Sequence, residues 1–232
     1  MKAYGQLRIL DLFCKAGGAS VGYHQAFPDA EIVGVDIEPQ PNYPYTFIQA
    51  DAMAWLGDPR VLATFDLVHA SPPCHDHSTV TGTSRKVKGE HGTGWMLDET
   101  VRLLAEAGVP YVVENVQGAK MPPAPCEFRL CGSSFLLDLR RHRKFVSSEQ
   151  VVAPPCAHGW QTPRFQSLRN DMRKRGQLSP VVGVHGSEQY PGDFEQRCAA
   201  MRINWMTNAE LAQAIPPAFT QWIGQQLQGR IG

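Results

Sequence analysis

Short apolar runs alternate with helical stretches over the first 150 of the 232 residues. Apolar runs bounded by turn residues predict strands, and their alternation with helices predicts a sheet built largely from parallel strands. The predicted strands are 8–13, 31–36, 45–49, 65–70 and 109–113, with a closing strand at 144–148. A helix ending at Phe27 follows the first strand, and a second helix is predicted at 96–107.

The periodicity fails between these elements and the C-terminal region. Proline, glycine and basic residues dominate 149–193, and a helical pattern returns at 194–232, broken at Pro216–Pro217. The length suits one domain with a small insertion. We therefore predict a main α/β domain at 1–148, an inserted lobe at 149–193, and helices at 194–232 that return to the main domain.

The charges are balanced overall but not along the chain, which has 22 basic and 22 acidic residues. The stretch 139–175 contains nine basic residues against Glu149 and Asp171, which leaves a charge of +7. A basic segment suits a phosphate backbone, although a solvated loop explains such a run equally well. The nine residues are Arg140, Arg141, Arg143, Lys144, Arg164, Arg169, Arg173, Lys174 and Arg175.

Three features exclude membrane and secreted classes. No apolar run approaches the roughly 18 residues that cross a bilayer. The first residues lack the basic, apolar and small-residue zones of a secretion signal. The six cysteines therefore read as thiols of a reducing compartment, and we expect a cytoplasmic protein without a membrane partner.

Acidic and glycine residues at the ends of the first three strands suggest a cofactor. The first strand leads into DLFCKAGG (11–18), whose two glycines can open a helix and present N–H groups, although such turns are common. Asp36 ends the second strand, where a carboxylate can accept ribose hydroxyls or cap a helix. Asp51 can accept from an adenine amino group or cap the next helix. Together the three suggest an adenosine-containing cofactor.

The fourth and fifth strands end in reactive residues. Pro72 and Pro73 stiffen the approach to Cys74 in SPPCHDHS (71–78). A cysteine there can act as a thiolate nucleophile, whereas a buried structural cysteine is the common alternative. Glu114 ends the fifth strand, where its carboxyl can hydrogen-bond a ring nitrogen while the thiol attacks.

This combination resembles the DNA cytosine-C5 methyltransferases. The matching pieces occur in the family's order and span nearly the whole chain. They are DLFCKAGG (11–18), Asp36, Asp51, SPPCHDHS (71–78), ENV (114–116), RRHR (140–143) and AIPP (214–217).

The resemblance implies a class I, Rossmann-like methyltransferase fold that binds S-adenosylmethionine. It makes 1–148 the catalytic domain and 149–193 a short target-recognition lobe, as in phage-encoded members, and implies a monomer in a bacterium or an infected host. The implied cofactor-binding residues are Phe13, Lys15, Gly17, Gly18, Asp36, Ile37, Asp51, Ala52, Pro73 and Gln213.

The resemblance also implies the chemistry. Cys74 attacks C6 of a cytosine flipped out of duplex DNA. Glu114 contacts N3 and the exocyclic amine, while Arg143, with Arg141 nearby, holds the activated base. C5 then takes the methyl group and loses its proton, and Cys74 leaves by elimination.

Several residues depart from the family's pattern. The family has glycine at Lys15, glutamine at His75, glutamine at Leu139 and asparagine at Gln213. Lys15 either pairs with a neighbouring carboxylate or, with Gln213, matches the extra carboxylate of carboxy-S-adenosylmethionine, which would yield 5-carboxymethylcytosine. An RNA-directed enzyme and an inactive DNA-binding module are the remaining alternatives.

Two further groups of residues are expected to be structural. Cys126, Cys131, Cys156 and His158 have spacings unlike known zinc patterns, so we predict buried thiols, a loop histidine and no metal site. His69 lies inside an apolar strand and is expected to be a satisfied core histidine. Core positions are also predicted for Trp205, Met206, Phe219 and Trp222.

Overall fold

The computed structural model describes residues 5–73, 94–161, 181–184 and 193–232. Cys74, the predicted nucleophile, lies outside these residues. Five of the nine basic residues of the 139–175 stretch also lie outside them, namely Arg164, Arg169, Arg173, Lys174 and Arg175.

The described strands form one seven-stranded sheet in the order β3-β2-β1-β4-β5-β7-β6. β1 to β5 are parallel, whereas β7 runs antiparallel to both of its neighbours. The strands are β1 (Arg8–Leu12), β2 (Glu31–Asp36), β3 (Thr46–Gln49), β4 (Leu67–Ala70), β5 (Tyr111–Val116), β6 (Cys126–Cys131) and β7 (His142–Ser147).

Helices cover both faces of the sheet. Those in the described part of the chain are α1 (Gly18–Ala26), α2 (Ala52–Leu56), α3 (Pro59–Leu62), α4 (Gly94–Ala107), α5 (Phe194–Met201), α6 (Asn208–Gln213) and α7 (Pro217–Leu227). Short 3-10 turns occupy Gly132–Phe135 and His158–Gln161. Within the described residues, no helix is both long and apolar enough to cross a membrane.

Most predicted elements are confirmed within two or three residues, and the differences have local causes. β6 was missed because its outward positions, Glu127 and Arg129, are charged and exposed, as suits an edge strand. The short helix α3 was also missed, although Asp58 caps its N-terminus, while α2 is the helix that Asp51 was expected either to cap or to leave for a cofactor. The C-terminal helical region is interrupted earlier than predicted, because Arg202 adopts a left-handed φ of 55° at the end of α5.

An apolar core lies on each face of the sheet, between the strands and the helices that cover them. One contains Tyr23, Phe145 and Phe219 on the face covered by α1 and α7, and the other underlies α2 and α4. α1 and α7 approach closely, since a Cβ on Gly22 would lie 2.1 Å from the carbonyl oxygen of Pro217. The C-terminal helices are therefore an integral layer of the main domain.

The strand order defines where a ligand can bind. β1 lies between β2 and β4, so the chain first builds the sheet to one side of β1 and then crosses to the other. In open α/β sheets, ligands bind at the carboxyl ends of strands beside such a switch point. The described residues that follow β1, β2, β4 and β5 lie at this edge.

Candidate active site at the strand ends

The turn after β1 is held in a conformation that few side chains adopt. Phe13, Lys15 and Gly17 have left-handed φ values of 58°, 45° and 80°. Gly17 donates its N–H to the carbonyl of Cys14 at 3.0 Å. The N–H of Lys15 donates to Asp36 Oδ2 at 3.1 Å, which joins the turn to the end of β2.

The two glycines of this turn make room for protein. A Cβ on Gly17 would lie 2.9 Å from Pro44 Cδ, and one on Gly18 would lie 2.4 Å from the carbonyl oxygen of Ile215. A side chain at either position would therefore clash with other parts of the chain, and the contact of these glycines with a cofactor stays a prediction. Gln213, the exposed last residue of α6, comes two residues before Ile215 in the sequence and so belongs to the segment that contacts Gly18.

The end of β2 combines a buried carboxylate with an exposed apolar side chain. Asp36 Oδ1 accepts from the N–H of Glu38 at 3.0 Å, in addition to its bond from Lys15. Ile37 is 67% exposed. An acceptor for ribose hydroxyls beside an apolar surface for a base fits the adenosine part of the predicted cofactor.

Asp51, two residues beyond β3, caps the N-terminus of α2. Asp51 Oδ1 accepts from the N–H of Met53 at 2.9 Å, so the capping role that the sequence left open is confirmed. Ala52, the first residue of α2, is buried, and Phe13 is half-buried against the same core. Contacts of these three residues with a cofactor stay a prediction.

Lys15 pairs with neighbouring carboxylates. Its Nζ lies 2.8 Å from Glu38 Oε2 and 3.5 Å from Asp36 Oδ1. The predicted pairing of Lys15 with a neighbouring carboxylate is therefore observed, and the carboxylated cofactor stays a prediction. A carboxylated cofactor would have to compete with both groups for this ammonium.

Asp11 forms a buried network that the sequence did not reveal. The hydroxyl of Ser20 donates to Asp11 Oδ2 at 2.5 Å and lies 2.7 Å from the hydroxyl of Tyr43. Burial raises the pKa of Asp11 to about 7, and the hydrogen bond from Ser20 opposes this rise. Local sequence gives no signal for such a network, because its members come from β1, α1 and the loop before β3.

The raised pKa of Asp11 predicts a pH-dependent stability. Between the unfolded pKa of 3.8 and the folded pKa of about 7, the folded state holds a proton that the unfolded state has lost, so stability falls as the pH rises. Asp11→Asn removes this titration. Relative to the wild type, its free energy of unfolding should rise between pH 5 and pH 8 by on the order of 2 kcal/mol.

Urea denaturation of both proteins at several pH values checks this expectation. The exposed Asp29 supplies the control, since Asp29→Asn removes the same charge from the surface. A difference between Asp11→Asn and wild type that stays constant from pH 5 to pH 8 would contradict it.

A buried ion pair joins β5 to β7. Arg143 Nε lies 2.7 Å from Glu114 Oε1, and both side chains are largely buried. Burial raises the pKa of Glu114 above its ordinary value, while the charges of Arg143 and Arg141 oppose the rise. Oε1, the carboxyl oxygen nearest the Arg143 guanidinium, is fully buried.

Arg141 has a different position from Arg143. It is buried, and its Nη2 donates to the carbonyl of Ala212 in α6 at 2.7 Å. Arg141 thus ties α6 to the start of β7, and a direct contact with a base stays a prediction.

The segment that leads to Cys74 is fixed by neighbouring side chains. Asn115 Nδ2 donates to the carbonyl of Pro72 at 3.2 Å. The N–H of Ser71 donates to the carbonyl of Leu12 at 3.2 Å. Pro73, half-buried, is the last described residue before Cys74. Pro72, two residues before Cys74 in the sequence, therefore lies directly beside Asn115, the neighbour of Glu114.

His69 and the C-terminal aromatic residues are structural, as predicted. The imidazole of His69 is fully buried and contacts the hydroxyls of Tyr23 and Ser71, each at 3.1 Å. Met206 and Phe219 are buried, while Trp205 and Trp222 pack partly buried against the same core. Trp205 also donates its indole N–H to the carbonyl of Ala16 at 2.8 Å, which supports the glycine turn.

Comparison with known proteins identifies the fold. No protein-family model matches the chain, and no curated protein matches it either. A solved structure of Spodoptera frugiperda DNMT2, an E260A/E261A/K263A mutant, is similar at 12% identity and a TM-score of 0.58, covering 94% of this chain and 98% of that one. The Entamoeba histolytica methyltransferase EhMeth is similar at 9% identity and a TM-score of 0.49, covering 96% and 98%.

These findings establish the fold class. The chain has the class I S-adenosylmethionine-dependent methyltransferase fold, as its sheet order and the likeness to DNMT2 show. The prediction of fold class is confirmed.

Proposed function

We propose that this protein is an S-adenosylmethionine-dependent DNA cytosine-C5 methyltransferase. The observation that carries the proposal is the buried Glu114–Arg143 pair, which lies beside the segment leading into Cys74. A buried acid and a strand-end thiol at one sheet edge are the two groups that activate a cytosine ring at N3 and at C6. The fold shared with DNMT2 agrees with this class of reaction.

The residues at the ends of β1 and β2 fit the cofactor. Asp36 would accept from the ribose, Ile37 would cover the base, and the turn at 13–18 would face the amino-acid end. Asp51, Ala52, Pro73 and Gln213 would complete the site. When bound, S-adenosylmethionine supplies an electrophilic methyl group.

Glu114 and Arg143 would have different roles at the cytosine ring. Burial raises the pKa of the Glu114 carboxyl, and a carboxyl with a raised pKa can share a proton with N3 of the ring. Arg143 fixes the orientation of the carboxyl and opposes a build-up of negative charge. Protonation at N3 makes C6 a better target for a thiolate.

Cys74 would perform the covalent step. Its thiolate adds to C6, and the electron pair of the C5–C6 double bond becomes available at C5 to accept the methyl group. A base then removes the proton at C5, the double bond re-forms, and the Cys74–C6 bond breaks to release the thiolate. Asn115 holds Pro72, two residues before Cys74 in the sequence, beside the end of β5.

The basic residues of 139–175 support a nucleic-acid substrate. Arg141 and Arg143 are largely buried, but the other seven basic residues still outnumber Glu149 and Asp171, and such a segment suits a phosphate backbone. A cytosine inside a duplex has its C6 and C5 stacked, so the base must be flipped out before the thiol can reach it.

Nucleoside analysis by mass spectrometry tests the proposal. The protein is incubated with S-adenosylmethionine and, in parallel, with duplex DNA or a folded RNA of matching sequence. The proposal predicts 5-methyldeoxycytidine in the DNA sample. Modified cytidine in the RNA sample alone would overturn the DNA assignment, and no modified base in either sample would overturn the enzymatic one.

A further inference from the structure

Four potential metal ligands converge outside the proposed active site. They are the thiols of Cys131 and Cys156 and the imidazoles of His142 and His158, and their ligand atoms all lie within 4.8 Å of one another. Within the described part of the chain, this is the one group of three or more His, Cys, Asp or Glu residues so arranged.

The sheet brings the first two ligands together. Cys131 ends β6, His142 begins β7, and the two residues are direct partners in the antiparallel register. Side chains at opposed positions of an antiparallel pair project from the same face about 5 Å apart. The thiol and the imidazole therefore meet although ten residues separate them in sequence.

The other two ligands return to this pair on the segment that follows β7. The N–H of Ala157 donates to the hydroxyl of Ser133 at 3.0 Å, and the hydroxyl of Ser134 donates to the carbonyl of Pro155 at 2.8 Å. These bonds hold the chain on both sides of Cys156 against the 3-10 turn that follows β6. The ligand arrangement is thus built into the fold.

The distances between sulfur and nitrogen match tetrahedral zinc. Cys131 Sγ lies 3.2 Å from His158 Nε2, and Cys156 Sγ lies 3.5 Å from His142 Nε2. Zinc bonds of about 2.3 Å to sulfur and about 2.0 Å to nitrogen, at tetrahedral angles, put these atoms about 3.5 Å apart. The two imidazole rings are nearly perpendicular, with centroids 5.2 Å apart.

We propose that Cys131, His142, Cys156 and His158 form a structural zinc site. Four protein ligands leave no position for water or substrate, which is typical of structural zinc rather than catalytic zinc. Arg129 and Arg140 place positive charge near both imidazoles. Two thiolates balance the charge of Zn²⁺, so the occupied site is neutral and adds no positive charge to that of the two arginines.

The spacing of the cysteines did not predict this site, because one of the four residues considered there is not among the converging ligands. Cys126 was grouped with Cys131, Cys156 and His158, but its thiol accepts from the N–H of Val151 at 3.4 Å inside the core. His142 takes its place. Linear spacing does not reveal a ligand pair that strand register creates.

The zinc would fix the start of the predicted recognition lobe to the catalytic sheet. Two ligands belong to β6 and β7, and two belong to the lobe segment at 149–193. His142 and His158 also line a cavity of about 330 Å³ together with Arg141. The metal would thus hold the lobe beside the strand that carries Arg143. This inference does not depend on the proposed function.

Metal analysis of untagged protein, purified without metal-affinity steps, tests the proposal. The wild type should contain about one zinc ion per chain, whereas Cys156→Ser and His158→Ala should each contain less than about 0.1. Cys156 is exposed, so its replacement leaves the core intact. Cys198→Ser, a change in a cysteine of α5 outside the cluster, is the matched control and should keep its zinc.

A second measurement on the wild type avoids any effect of substitution on folding. Metal-free protein titrated with Co²⁺ should develop the strong visible bands and the sulfur-to-metal charge-transfer band of a tetrahedral site with thiolate ligands. The proposal is overturned if the wild type contains less than about 0.1 zinc after reconstitution. It is also overturned if Cys156→Ser keeps as much zinc as Cys198→Ser, or if the cobalt spectrum is that of an octahedral ion.

Discussion

Replacing Cys74 by serine should reduce methyl transfer by about a thousandfold or more, as expected for loss of a nucleophile. A serine hydroxyl is not ionised at neutral pH, and addition to C6 precedes methyl transfer. Most residues predicted to bind the cofactor lie at the ends of β1, β2 and β3, and none of them is changed, so cofactor affinity should change little. Initial rates with labelled S-adenosylmethionine and isothermal titration measure the two quantities.

Cys198→Ser is the control for this substitution. It makes the same chemical change at a partly buried cysteine of α5, and its rate should equal that of the wild type. A Cys74→Ser protein that keeps a tenth of the wild-type rate would remove the thiolate from the mechanism.

Replacing Glu114 by glutamine should lower the rate by about 10²-fold or more, in the range of general acid–base contributions. Glutamine keeps the shape of the side chain but cannot share a titrating proton with N3. It also discharges one side of the Glu114–Arg143 pair and leaves a buried guanidinium without its counter-charge. Thermal denaturation of the variant separates that structural cost from the loss of rate.

The pH profile identifies the role of Glu114 more sharply. Burial raises its pKa, and the protonated form is the active one, so kcat should fall as the pH rises through that pKa. The fall should be absent in Glu114→Gln. Glu127→Gln, at an exposed position of β6, is the control and should keep both the wild-type rate and its profile. An identical alkaline fall in Glu114→Gln would assign it to another group.

The parallel core of the sheet was predictable because its strands are buried on both faces. Residues 9–12, 31–36 and 67–70 are short and nearly continuous apolar runs. Such runs are typical of strands in a parallel sheet. β6 lacks that signal, since alternate positions carry exposed charges at the edge of the sheet. Local sequence also does not show that β7 inserts between β5 and β6.

Because β7 inserts at this place, part of the site could not be predicted from the sequence. Glu114 and Arg143 meet because β7 runs antiparallel beside β5, a long-range pairing that the order of motifs alone does not reveal. The environment of Lys15 likewise could not be predicted, because it depends on the conformation of the turn, which places the ammonium beside Glu38. The tight contact of Gly18 with Ile215 has the same origin, because α6 and α7 return to the first turn from the far end of the chain.

Covalent trapping tests the central claim most directly. The wild type is incubated with S-adenosylmethionine and duplex DNA that carries 5-fluorocytosine, in which fluorine at C5 prevents the final loss of the proton. The account predicts a stable protein–DNA adduct whose peptide, sequenced by mass spectrometry, carries the methylated nucleotide on Cys74, and no adduct with Cys74→Ser. An adduct on another residue, or an equal yield with Cys74→Ser, would contradict the account.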